Sequence, residues 1–349
     1  MITFYQIFYI NTTKLLKGER CVQNSLNLVY QYIDEKKDEM IALWRDIVNL
    51  ESYSREKEKL DIIAERLKAE FEKEGLNCSL VDVGSENGKT LVGTLGSERL
   101  GKPVIFSGHM DTVFPTGTFG DNPFRIKDGK AYGPGVLDMK GGIVISLYAI
   151  KALNSINYDD RPIKIIFSGD EEIGHINSIG AELILEEAKG GICAFNMETG
   201  LIDNSICVGR KGRMECHITV DGVEAHAGND FINGRNAIEE MAYKIIDLQK
   251  LTDLKSGITV SVGKIKGGTV SNAIPAQCKI EMDIRFENKS EMDNIKGKIE
   301  KLCQKTYVEG TSTKCEIVSS MAAYETTDNV MKFFHFCNKV SNEYGFGKL

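Results

Sequence analysis

No Cys-x-x-Cys pair occurs among the nine cysteines of this 349-residue chain, and their number is odd. Reduced thiols in a cytosolic protein fit that usage better than a disulfide framework. No block of Lys and Arg offsets a formal net charge of −7, which argues against a nucleic-acid surface. No apolar run approaches the ~20 residues needed to span a bilayer. The first 18 residues open with a mildly apolar run of about nine, yet they lack a basic start and a small-residue cleavage site, so no secretory signal is expected. Internal repeats and low-complexity segments are absent as well. These absences leave a soluble cytoplasmic protein with no membrane and no nucleic-acid partner as the expectation.

What is present is an ordinary globular composition, 42% hydrophobic and 27% charged, with 34 glycines for tight turns and length enough for two domains. Residues 31–75 read as two amphipathic helices, with Ile41, Leu43, Trp44, Ile47 and Leu50 on one face and Leu60, Ile63, Leu67 and Phe71 on the other helix. Strand signals at CSLVDV, TLVGTL, PVIFSG and IKIIFSG alternate with the helical runs GGIVISLYAIKAL and SIGAELILEEAKG. Such alternation predicts an α/β domain with a mixed, mostly parallel sheet and helices on both faces. From about residue 209 the order becomes β-α-β-β-α-β, the ferredoxin-like unit, which reads as a domain inserted into the larger one. The expected division is residues 1–208 with 320–349 for the larger domain and 209–319 for the insert.

Polar residues cluster just after the strand-like runs: His109 and Asp111 after PVIFSG, Asp138 after GKAYGPGVL, Asp170, Glu171 and Glu172 after IKIIFSG, and Glu198 after GICAFNM. Open α/β sheets place their chemistry at the carboxyl ends of strands. One imidazole and several carboxylates converging there describe a zinc site with room for two metals. Each cluster also has a plainer explanation. A lone His-x-Asp is more often a surface or capping pair, although this chain has only five histidines. Asp138 is equally well placed to bridge two metals or to cap a helix. Adjacent acids suit a solvated helix start, where the helix dipole favours them. Adjacent carboxylates repel, however, and left together at a sheet edge they need solvent or a cation. Taken singly the plain readings win; taken in order along one chain they do not.

The ordered set GHMDTV, YGPGVLDMKGG, SGDEEIG, NMETG, EAHAG, GRNAI and SNAIPA with the later DIR resembles the glutamate carboxypeptidase/aminoacylase family of dinuclear zinc exopeptidases, nearest its glutamate carboxypeptidase branch, over roughly residues 35–345. The resemblance implies a zinc peptidase domain carrying a ferredoxin-like lid through which the protein forms a homodimer. It also implies two zinc ions per subunit, with cobalt or manganese as substitutes. His109 would ligate one zinc, Asp138 would bridge both, Glu198 would complete the site of His109's zinc, and Glu172 would bind the other. Asp111 would orient His109, and Glu171 would be the general base that activates zinc-bound water. In the lid, His226 would stabilise the oxyanion from the partner subunit, while Asn272 and Arg285 would hold the substrate's carboxylate. Arg285 suits that role physically, because its planar fork pairs bidentately with a carboxylate.

The implied reaction releases a C-terminal amino acid from a peptide, or cleaves an N-acyl amino acid with a free carboxylate. Two departures accompany the resemblance. His175 stands after DEEIG, where the family has a small residue, and a hydrogen-bonded neighbour is its expected role. The family's last zinc ligand, a histidine in a Gly-x-x-x-His-like segment, has no counterpart between residues 320 and 349, and His335 lies in a helical pattern. The expectation from this second departure is a C-terminally truncated catalytic domain, with catalytic impairment as the alternative outcome.

Overall fold

The computed structural model describes residues 19–200, 203 and 205–349, and apolar residues recurring every three or four positions fold the first of these into helices. The mildly apolar run that opens the sequence lies outside the described residues. Three helices come first: α1 (Glu19–Glu35), α2 (Lys37–Asn49) and α3 (Lys57–Lys73). The sequence reading anticipated α2 and α3 but placed no helix before residue 31. Leu60, Ile63, Leu67 and Phe71 form the buried stripe of α3, all inaccessible to solvent.

Backbone contacts divide the chain into two compact units, one ending at Ile206 and resumed at His335–Leu349, the other running Cys207–Phe334. The first unit holds β1 (Asn77–Val81), β2 (Gly88–Leu95), β3 (Val104–His109), the outlying β4 (Arg125–Lys127) and β5 (Lys130–Tyr132), then α4 (Gly141–Ser155), β6 (Ile163–Gly169), α5 (Gly180–Ala188) and β7 (Cys193–Asn196). Its sheet has the order β1-β2-β6-β3-β7. The β3 strand pairs in parallel with both β6 and β7, whereas β1, β2 and β6 pair antiparallel, so the sheet is mixed. Val104, Ile105 and Phe106 are all buried, so consecutive side chains on opposite faces of β3 are both covered. The parallel trio β3, β6 and β7 carries the polar clusters at its carboxyl ends.

One expectation is corrected here. The run GKAYGPGVL does not supply a strand of this sheet. Its β5 portion pairs only with β4, in a separate two-stranded hairpin. Asp138 instead sits in an irregular turn, Val136–Lys140, with non-helical backbone angles directly before α4. Four glycines and a proline in YGPGVLDMKGG make the segment a poor strand and a good turn. The double glycine then serves close packing: a Cβ on Gly142 would stand 1.9 Å from the carbonyl oxygen of Met197, the residue before Glu198.

The second unit contains β8 (Gly212–Asp221), β9 (Ala225–His226), α6 (Ala237–Gln249), β10 (Thr259–Gly267), β11 (Ala273–Ile274), β12 (Gln277–Phe286), α7 (Lys289–Gln304) and β13 (Ser312–Met321). Its four-stranded sheet runs β10-β12-β8-β13 with every pairing antiparallel. That is the ferredoxin-like arrangement, with β9 and β11 added as a short two-stranded ladder. Strict alternation sets its faces. Met214, Cys216, Ile218 and Val220 of β8 are buried with Ile280, Met282 and Ile284 of β12, and α6 and α7 contribute Met241, Leu248, Ile295 and Ile299 to the same core. The chain passes back to the first unit within α8 (Asp328–Glu343).

Candidate metal centre

His109 closes β3, and its ring is 1% exposed. The Nδ1 atom lies 3.0 Å from the carbonyl oxygen of Asp111 and 3.3 Å from that residue's Oδ1. A donor at Nδ1 satisfies both acceptors and leaves the Nε2 lone pair facing away. That nitrogen stands 3.0 Å from Asp138 Oδ1 and 3.2 Å from Glu198 Oε1. Ligand atoms of His109, Asp138 and Glu198 all fall within 4.8 Å of one another.

Asp111 is fully buried and spends its oxygens on local order. Ser54 Oγ donates to Oδ2 at 2.7 Å, while the amides of Glu172 and Glu171 donate to Oδ2 and Oδ1 at 3.0 and 3.2 Å. One carboxylate therefore ties the ends of β3 and β6 together and aims the imidazole. Behind the ring, Met139 Sδ accepts the His109 amide at 3.1 Å, an approach that a Cβ on Gly108 would block at 2.2 Å. The turn carrying Asp138 is pinned to α2 from both sides: Trp44 Nε1 donates to Val136 O at 3.1 Å, and the buried Lys140 ammonium donates to Ile47 O at 2.9 Å. Burial pushes that ammonium down to about 7 against the pull of Glu51 and Asp111.

The electrostatics state what the cluster needs. Burial opposes charge on His109, but hydrogen bonds to Asp111 and Glu198 outweigh it and carry the ring up to about 11. Burial, reinforced by Asp138, raises Glu172 to about 7, and burial raises Glu171 as well. Nε2 and two carboxylates pointing at one spot call for a positive charge between them, either the ring's own proton or a cation in its place. The N,O,O donor set suits a borderline divalent cation.

Of the other expected site residues, Glu171 reaches 3.9 Å from His109 Nε2, at the margin of the cluster. Glu172 feels both Asp138 and His109 electrostatically but stands outside the close group of three. In the second unit, His226 and Asn272 line one open cavity of about 400 Å³ with Glu224, Ala225 and Ala273. The two are joined by the β9–β11 pairing and by the Ala227 amide, which donates to Asn272 O at 2.9 Å. Arg285 does not line that cavity; its guanidinium is held by Asp283, with Nε donating to Oδ1 at 2.7 Å.

Sequence reasoning gave no role to Ser54, which carries no motif signal, or to Met139, although Met139 lies within YGPGVLDMKGG. His175 has the hydrogen-bonded role expected of it, its Nδ1 lying 2.7 Å from the fully buried Asp170, whereas Asn87, whose Nδ2 donates to the same carboxylate at 3.3 Å, was missed. Asp170 was visible as one of three consecutive acids, but only burial separates it from its neighbours.

Residues 208–311 match the peptidase dimerisation domain of M20 proteins. Carboxypeptidase G2 of a Pseudomonas species is 27% identical over 323 residues, which cover 92% of this chain and 77% of that relative. Succinyl-diaminopimelate desuccinylase 2 of a Ruegeria species is 31% identical over 241 residues, covering 64% of this chain and 60% of that relative. Among solved structures, the aminopeptidase PepT from Bacillus cereus superposes with a TM-score of 0.72 at 21% identity, covering 89% of this chain and 83% of that one. An M20 family metallo-carboxypeptidase from Sulfolobus solfataricus gives 0.62 at 19% identity, covering 88% and 84%. At those identities the two structural likenesses bear on the fold. Among the described residues no helix is long and apolar enough to cross a membrane.

Proposed function

We propose, from the premise that this chain is a hydrolytic enzyme resembling the M20 metallopeptidases and amidohydrolases, that it releases a C-terminal amino acid from a peptide using two divalent cations, zinc by preference. The observation that carries this reading is the meeting of His109 Nε2 with Asp138 and Glu198 at 3.0 and 3.2 Å. His109, Asp138 and Glu198 would hold one cation, and Glu172 with the shared Asp138 would hold the other. The cations supply Lewis acidity to a carbonyl and to water.

The chain's own groups do the rest. Glu171 takes a proton from the attacking water and returns it to the departing amine. Burial raises its proton affinity, which suits a base working near neutral pH. Asp111 keeps His109 in the tautomer whose Nε2 faces the carboxylates. His226 donates to the developing oxyanion in the partner subunit's active site, and Asn272 and Arg285 hold the substrate's free carboxylate. The match to a dimerisation domain supports a homodimer formed through the second unit. The desuccinylase relative favours a second reading, removal of an acyl group from an N-acyl amino acid.

Metal content and turnover of N-acyl and peptidyl amino acids, compared in wild type, His109→Ala and Glu171→Gln, test the proposal. Glu171→Gln is expected to keep its metal and lose at least about 100-fold in rate, within the range for general-base removal. Full metal content in His109→Ala would overturn the ligand assignment, and wild-type rate in Glu171→Gln would overturn the base.

A further inference from the structure

Three thiols from three separate elements gather in the second unit: Cys216 on β8, Cys303 near the end of α7 and Cys315 on β13. The sulfur atoms of Cys216 and Cys315 are 3.3 Å apart. Cys216 is 1% exposed, whereas Cys315 is half-buried. A cleft of about 250 Å³ opens onto the pair, with Lys296 and Glu300 among its walls. Hydrogen peroxide is little larger than water, so such a cleft admits it.

We infer that Cys315 and Cys216 form a reversible disulfide when the protein meets a hydroperoxide, with Cys315 as the attacking and Cys216 as the resolving residue. Exposure and proximity assign the roles: both thiols line the cleft, but Cys315 is the more exposed of the two, and the buried Cys216 stands within bonding reach of it. Hydrogen bonds with Cys216 and Cys303 also lower the pKa of Cys315, favouring its thiolate, the nucleophilic form.

The chemistry balances with one peroxide. The Cys315 thiolate attacks the O–O bond and becomes a sulfenic acid, and the hydroxide released takes up a proton to become water. Cys216 then gives up its proton as its sulfur attacks the Cys315 sulfur. The S–O bond breaks, and the departing hydroxide takes that proton to form a second water. Two thiols are oxidised by two electrons and the peroxide is reduced.

Register sets the mechanical requirement. Cys216 stands opposite Ile317, and Cys315 stands opposite Ile218, so the two cysteines are diagonal neighbours. A diagonal pair is near the upper limit of disulfide reach, and closing the gap requires a small backbone shift. β13 is the strand able to make it, because it lies at the edge of the sheet and its register slips between Ile317 and Ser319. The disulfide would then clamp that edge strand to β8.

Intact mass and peptide mapping of the full chain, treated with hydrogen peroxide and then alkylated, test the inference without any variant. The expected result is loss of two hydrogens and of two alkylatable thiols, a linked Cys216–Cys315 peptide, and full reversal by dithiothreitol. In Cys216→Ser, dimedone should label Cys315 as a trapped sulfenic acid. A Cys303–Cys315 link would overturn the pairing. Dimedone labelling at Cys216 in a Cys315→Ser protein would overturn the order of attack. Survival of both thiols while the exposed Cys207 is oxidised would overturn the inference altogether.

Discussion

Lys244→Met is expected to cost the second unit about 3–5 kcal/mol, the range for breaking a buried ion pair from one side. Lys244 sits on α6 with its side chain 1% exposed, paired at 3.1 Å with a Glu240 carboxylate that is itself inaccessible. Its ammonium donates to the carbonyls of Leu302 and Cys303 at 3.1 and 3.2 Å and to that of Lys305, so it caps the carboxyl end of α7 from a neighbouring helix. The other Glu240 oxygen accepts the amides of Tyr307 and Val308 at 2.7 and 2.6 Å. One buried pair therefore satisfies both the last turn of α7 and the loop that follows.

Methionine fills the same volume but donates nothing. Three helix-end carbonyls lose their donor, and Glu240 keeps a buried charge held only by two amides. Each orphaned buried group costs about 1–3 kcal/mol, and these losses overlap because one ammonium served them all. Taking about 4 kcal/mol and a urea dependence of about 2 kcal/mol per M, the midpoint for this unit falls by about 2 M. The only tryptophan, Trp44, lies in the first unit, so hydrogen exchange of α6 and α7 peptides along a urea series is the assay that reports on the right place. In the double variant Lys244→Met/Glu240→Gln the carboxylate is neutral, and part of the loss should return. A midpoint change under about 0.5 M in the single variant, with the slope of about 2 kcal/mol per M unchanged, would refute the reasoning.

Asp111→Asn keeps the shape of the buried side chain but exchanges one acceptor for a donor facing the Glu171 and Glu172 amides; divalent-metal affinity, read by competition with a chromophoric chelator, should fall about 10–100-fold. Unchanged affinity would free His109 from its assigned support. The Arg285 guanidinium holds Asp283 below the usual carboxylate range, with Arg213 adding to it. The contribution of that contact to stability is thus present above pH about 3.9 and lost only as pH drops through the lower folded value. Carboxyl carbon resonances should give a midpoint for Asp283 below that of a model peptide, and Arg285→Ala should move it back up; no movement would contradict the pairing. Phe167→Ala should cost the first unit about 3–5 kcal/mol in denaturant titration, since the ring is fully buried and stacks on Phe71 at 5.8 Å.

Much of the fold was legible because it is written in periodicity. Period-two alternation along RMECHITVDG and QCKIEMDIRF gave β8 and β12, and their faces follow from it. The order of polar residues after apolar strands likewise put His109 and Glu198 at the ends of β3 and β7, which lie side by side in parallel. Asp138 was assigned to the same cluster for the wrong local reason, since the turn and not a strand carries it there. What could not be read was anything set by contacts far apart in sequence. Ser54 meets Asp111 across 57 positions, and Trp44 holds Val136 across 92. A serine or tryptophan gives no sign of its partner until register and packing are fixed. The same limit explains Asp170, Glu171 and Glu172: sequence shows three equal acids, while burial turns the first inward to His175 and leaves the other two facing outward. Their division of labour follows from which backbone groups each can reach. Asp111 takes the amides of Glu171 and Glu172, and the Glu171 carboxylate lies 3.9 Å from His109 Nε2. The carboxylates that can serve a cation are thus those that the neighbouring backbone leaves unsatisfied, a property of the fold and not of any motif.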